Sequence, residues 1–260
     1  MVSRRQEKLD RKSLIAQQRE QERARQRRVR AAWLGGGALA LAAIAAAVAV
    51  PLLSAAGHPA ASEVIPPALT GQPTVEPAAL TVSNTTGIPG VIEYDTAGYP
   101  TGSSNGPANK ALGHTHVTGP VQYSVTPPAG GSHNAVWMTC GVYDKPVPNE
   151  HAVHNLEHGA IWITYQPSLP QSEVSALYAF FGRQTGLNPG GAGNSRYIDV
   201  TPYPGLPSPI VVSAWGFQLR LTSATDPRLQ EFVDKFRVSK QYSPEYGATC
   251  DGGVGTPRQQ

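Results

Sequence analysis

The sequence predicts an α+β fold: a single compact extracytoplasmic domain of mixed short strands and about three helices, carried by one N-terminal transmembrane helix. Three observations predict it. A long uncharged run follows a strongly basic start. Strand-type and helix-type segments then mix without a regular βαβ alternation. Six of the seven histidines fall between residues 114 and 158, none after that, and they sit on segments of both types.

Residues 1–30 carry eleven Lys or Arg against four acids. From 6 to 30 they have helix-forming composition with little apolar content, suited to lying against anionic headgroups. No charge occurs from residue 31 to 57, and Trp33–Leu53 is a 21-residue run rich in Ala, Leu, Gly and Val. At about 1.5 Å per residue, it spans a hydrocarbon core of roughly 30 Å. Ser54-Ala55-Ala56 offers a small-residue cleavage site, and Ser3-Arg4-Arg5 echoes a twin-arginine signal. The charged lead-in is too long for a secretory signal, and no apolar pair follows the arginines, so residues 31–56 are read as an uncleaved anchor. The basic flank is expected in the cytoplasm and the rest of the chain outside the cell membrane. The net charge of +3 divides into +7 for residues 1–30 and −4 for the remainder. The outer part is therefore mildly acidic, without a basic patch, and nucleic acid is not an expected partner.

Residues 57–90 scatter proline among Ala, Thr, Ser and Gly and are expected to form an extended linker. The folded domain is placed at 91–252, with a loop at 98–109 and a flexible tail at 253–260. Strands are expected at Val121–Val125, Ala135–Val142, Ile161–Tyr165, Arg196–Thr201 and Ile210–Thr222. The last would show Trp215, Phe217, Leu219 and Leu221 on one face. Pro170–Arg183 reads as a helix with Val174, Leu177, Tyr178 and Phe181 on one stripe. Asp226-Pro227 opens another through Arg237, with Leu229, Phe232, Val233 and Phe236 inside.

The chemistry concentrates in His151-Ala-Val-His154-Asn-Leu-Glu157-His158-Gly159. On a helix His151, His154 and His158 fall within about 60° of one another, with Val153 and Leu156 opposite. His114 and His116, two apart in an extended segment, share a face, and His133 follows a Pro/Gly turn. His154, His158, His114, His116, His133 and His151 are the candidate ligands for a copper or zinc ion, because imidazole sites suit both metals. Glu157 is expected to position a ligating histidine rather than bind the ion. The alternative is a hydrogen-bonded structural face that holds no metal. His154-Asn-Leu-Glu157-His158 also matches the H-x-x-E-H of inverted zinc proteases, with Glu231 as the candidate third ligand, but Gly159 and the strand behind it leave little helix for that role. No G-x-S-x-G elbow occurs, and the glycines at 129–131 and 190–193 lack the Lys-Ser/Thr of a phosphate loop. Cys140 and Cys250 lie beyond the span, where disulfides persist, and are read as a bridge. The competing reading makes Cys140 a metal ligand beside Met138.

Pro127-Pro128-Ala129-Gly130-Gly131-Ser132-His133, Gly141-Val142-Tyr143, His154–Gly159 and Ala214-Trp215-Gly216 with the helix after it resemble domain-of-unknown-function family 3105 over about residues 110–250. The resemblance implies a membrane-anchored or secreted protein and carries no activity. The functional expectation is a single-pass membrane protein whose His-rich outer domain binds copper or zinc without catalysis. The alternatives are an accessory module that docks on a membrane complex and a zinc-dependent hydrolase.

Overall fold

The computed structural model describes residues 62–95, 112–191 and 193–259. The expected transmembrane helix at 31–56, the basic segment before it and the loop at 98–109 lie outside these residues. Among the described residues, no helix is long and apolar enough to cross a membrane. They form an α+β arrangement of short and medium strands with three helices.

In chain order the strands are β1 (Thr74–Val75), β2 (Thr81–Val82), β3 (Val91–Tyr94), β4 (His116–Val117), β5 (Val121–Gln122), β6 (His133–Asn134), β7 (Ile161–Tyr165), β8 (Ile198–Pro202), β9 (Ile210–Ala214) and β10 (Phe217–Leu221). The helices are α1 (Asn149–Glu157), α2 (Gln171–Arg183) and α3 (Arg228–Phe236). A six-stranded sheet runs in the order β2-β3-β10-β9-β7-β8, antiparallel except for the pair β7/β8. That parallel pair needs a crossover, and α2 provides it.

Side chains alternate across β7, so the sheet separates two cores. Ile161, Ile163 and Tyr165 pack with Leu177 and Phe181 of α2 and with Phe232 and Phe236 of α3. Trp162 faces the other way and packs with Val153 and Leu156 of α1, Met138, Tyr143 and Trp215. The site described below lies on this second side.

Three expectations are corrected. Ile210–Thr222 is a hairpin, not one strand: Ala214 pairs with Phe217 across a two-residue turn, and Gly216 there has φ +80°. The turn takes Trp215 off the face of Phe217, Leu219 and Leu221 and into the second core. Ala135–Val142 is no strand; it makes isolated bridges through Met138 to Val254 and through Val142 to Val200 and Gln259. The residues expected as linker and tail are drawn into the fold. Within 57–90, β2 extends the main sheet, β1 pairs with β5, and Val64 bridges Thr256 from the region 253–260.

The end of α1 is set by its backbone. Gly159 N–H donates to Leu156 O, and Ala160 N–H to Asn155 O, the two bonds of a Schellman cap. Gly159 has φ +95°, and a Cβ there would collide with Ser243 Oγ and press on the Val238 backbone. The chain therefore turns from α1 into β7 within three residues. Gly159→Ala is expected to lower stability by about 2 kcal/mol, read as a shift in the urea midpoint. An unchanged midpoint would mean that the turn tolerates a side chain.

Cys140 and Cys250 are joined, with Cα atoms 5.4 Å apart across a sequence separation of 110. The bridge fastens the C-terminal segment to the middle of the fold and removes Cys140 as a thiolate ligand. In the chain-entropy model, such a loop contributes up to about 4–5 kcal/mol. Reduction should lower the melting temperature by many degrees, and equal melting curves with and without reductant would refute that contribution.

Candidate metal centre

The site is built where α1 meets the ladder of β4 and β6. In that parallel pair His116 and His133 are register partners, so their side chains leave the same face. Their ring centroids lie 4.9 Å apart. Glu150, in the first turn of α1, accepts the Val121 N–H at 2.7 Å and so ties β5 to the start of the helix. The helix places His154 and Glu157 on adjacent turns facing the ladder, and His158 at its C-cap.

Three imidazoles are aimed in the same way. His133 Nδ1 lies 2.9 Å from Gly131 O, His154 Nδ1 2.6 Å from Asn134 O and His158 Nδ1 2.7 Å from Thr249 O. A carbonyl oxygen only accepts, so each Nδ1 carries the proton. In the neutral ring, Nε2 then presents a lone pair, the form a metal ligand needs.

His116, His133, His154 and Glu157 each offer a ligand atom, all within 4.8 Å of one another. Glu157 Oε2 is 2.9 Å from His133 Nε2 and 4.0 Å from His116 Nε2. The 2.9 Å contact lacks hydrogen-bond geometry, and neither His133 Nε2 nor Glu157 Oε2 has a hydrogen-bond partner although both are buried. His154, His158 and Glu245 form a second group of the same tightness. There His158 Nε2 faces Glu245 Oε2 at 3.5 Å. Trp137 borders both groups, its ring 5.9 Å from that of His154 and 5.4 Å from that of His158. The buried His/Glu groups could hold a metal ion.

The cluster opens on one side. The side chains of His116 and Glu245 are 48% and 49% exposed, against 0% for His133 and 4% for Glu157. Burial lowers the pKa of His114 to about 4, with Glu157 opposing the shift and His133 and His116 adding to it. Burial also lowers His116 and His154, with His133 and His158 respectively the leading neighbouring imidazoles that add to it. The Glu245 carboxyl is lowered by the His158 ring that faces it, against its own burial.

The six candidate histidines do not share one place. His116, His133, His154 and His158 converge. His114 stands at the rim, its Nδ1 3.8 Å from Glu157 Oε1. His151 is turned away: Nδ1 lies 2.6 Å from Val136 O and Nε2 3.2 Å from Pro67 O, so both nitrogens face carbonyl oxygens. Glu157, expected behind the candidate ligands, stands among the converging side chains. Met138 is enclosed in the apolar core beside Trp162. Glu231 does not reach the cluster; it is exposed on α3, whose apolar face packs on the opposite side of the sheet. Glu245 carried no signal in the sequence, because only the fold brings it near α1, where its N–H donates to Glu157 O at 2.9 Å.

The sequence profile of a protein family of unknown function, DUF3105, matches residues 114–252. The chain belongs to that family. Searches of curated proteins and of solved structures find no match. The span matched by DUF3105 takes in all four converging histidines, Glu157, Glu245 and both cysteines.

The depressed histidines make stability depend on pH. An unfolded histidine titrates near its ordinary value of about 6.5, so between that value and about 4 the unfolded chain binds protons that His114 in the fold refuses. The stability of metal-free protein should be complete above this window and fall as pH drops through it. Urea midpoints at pH 7.5, 6 and 5 in chelator check this, and a flat series would contradict the burial of the imidazoles.

Proposed function

We propose that this is a single-pass membrane protein whose DUF3105 domain lies outside the membrane and binds one zinc or copper(II) ion without catalysis. The buried pair His133 Nε2 and Glu157 Oε2, 2.9 Å apart and without a hydrogen bond, carries the reading. A buried carboxylate is costly unless its charge is matched. Burial holds His114, His116 and His154 toward the neutral form, and His133, its Nδ1 proton given to Gly131 O, turns the lone pair of a neutral ring to Glu157, so these rings do not supply the match. A divalent cation would. Two ligands about 2.0–2.1 Å from one ion stand about 2.9 Å apart at the right angles of a tetragonal copper(II) site and about 3.3 Å apart at the tetrahedral angle of zinc, so the pair is spaced for a shared ion.

The donor set is three imidazole nitrogens and one carboxylate oxygen. Cys140 is oxidised and Met138 is packed in an apolar core, so neither adds a soft sulfur. Nitrogen and oxygen donors suit zinc(II) and copper(II) better than copper(I). The same set argues against a hydrolase. In the H-x-x-E-H reading Glu157 must stay off the metal to activate water, whereas here it is one of the converging donors. The uncharged run after a basic segment, together with a disulfide, supports the membrane and extracytoplasmic address.

The test is a competition titration of chelator-stripped full-length protein in detergent with zinc(II) and copper(II). One ion per chain is expected. Copper(II) should quench tryptophan fluorescence, because the Trp137 ring is 5.9 Å from His154 and the Trp215 ring 5.8 Å from His133. His133→Ala, His154→Ala and Glu157→Gln should each weaken binding beyond the roughly 10–100-fold that loss of an outer hydrogen-bond partner costs. His151→Ala should leave the affinity near wild type. A wild type that binds neither ion ends the reading, and reporters fused at each terminus test the topology.

A further inference from the structure

Resting on that reading, the geometry points to a metal relay in which His154 passes an incoming ion from an outer set, His158 and Glu245, to the inner set, His116, His133 and Glu157. The two groups overlap at one residue: His154 belongs to both. Its Nδ1 proton is committed to Asn134 O, so only Nε2 can bind metal, and it can bind one ion at a time. Two ions therefore cannot fill both sets together with His154 in each. One ion can exchange His158 and Glu245 for His116, His133 and Glu157 while keeping its bond to His154.

The surroundings give the exchange a direction. Glu245 is half exposed and negatively charged, suited to meet a hydrated cation. His158 behind it is buried, with Nδ1 held by Thr249 O and Nε2 turned to Glu245. The inner carboxylate, Glu157, is buried and has an oxygen without a hydrogen bond, so the ion gains most there. The His154 and His158 rings are 4.5 Å apart, and those of His154 and His133 4.9 Å, so the hand-over needs only short displacements.

A ligand on the route but absent from the final state alters rates and not the equilibrium. Stopped-flow loading with copper(II), followed by tryptophan quenching, and release to excess EDTA should separate the two on the full-length protein. Glu245→Gln and His158→Ala should keep one ion at near wild-type affinity while loading and release both slow about tenfold, the effect of a barrier higher by about 1.4 kcal/mol. Glu245→Gln changes a half-exposed side chain, so it keeps the test independent of folding. Unchanged rates would overturn the relay. So would faster release with unchanged loading, which would make these residues ordinary ligands of the final state, and so would two ions bound at once. A wild type that takes up no copper(II) overturns the relay together with the metal-binding reading, and is told apart because there is then no loading to time.

Discussion

Three imidazole N–H groups given to backbone carbonyls hold the site together. Gly131 and Asn134 belong to the stretch around β6 and Thr249 to the C-terminal segment, and their oxygens receive the Nδ1 protons of His133, His154 and His158. Each bond fixes a tautomer and a ring orientation at once. The bonds of His154 and His158 also dock α1 against β6 and against the C-terminal segment. Position on the helix therefore matters less than the partner of the second nitrogen. His151 has the same Nδ1 bond as its neighbours, but its Nε2 faces Pro67 O, and the ring becomes a strut between Val136 and the N-terminal segment.

The rotation of α1 is pinned by the residue next to His154. Asn155 is fully buried; its Nδ2 donates to Asp199 Oδ2 at 2.7 Å and approaches Cys140 Sγ at 3.3 Å, and its Oδ1 accepts the Met138 N–H at 3.2 Å. Asp199 pairs in register with Trp162, so it leaves β8 on the α1 side of the sheet. Burial raises its pKa to about 7, against the bonds from Asn155 and the Gly141 N–H. A helix held so on one flank, and capped by Gly159 at its end, cannot turn its histidine face away from the ladder. The sheet serves the site by supplying this floor, while its other face, covered by α2 and α3, supplies apolar burial.

What was legible followed from local periodicity. The helix through His151–His158, strand β7 and helices α2 and α3 each carry a repeat of their own, and the structure keeps them nearly to the residue. The misread parts depend on pairing between distant segments. β1 and β2 are two-residue strands in proline-rich chain, and no local pattern shows that one meets β5 and the other β3. The parallel register of His116 with His133 has no turn to announce it. The Trp215-Gly216 turn lacks the Asn-Gly or Asp-Gly that marks most tight hairpins. Glu157 is different. At about 100° per residue, it lies about 60° from His154 and about 100° from His158, at the edge of the histidine face, so its place beside His154 was present in the spacing. Its assignment behind the ligands came from the usual role of a carboxylate beside a metal-bound histidine.

The disulfide governs the chemistry as well as the stability. Cys140 lies under α1, beside the residue that follows His154. As a thiolate it would be a softer donor than any of the converging atoms. Joined to Cys250 it is withdrawn, and the converging atoms are imidazole nitrogens and carboxylate oxygens alone. The donor set proposed for the domain is therefore a property of its oxidised form. An oxidising surrounding does two things for the same site. It locks the segment that carries Thr249, and so the His158 ring, against α1, and it withdraws the Cys140 thiolate.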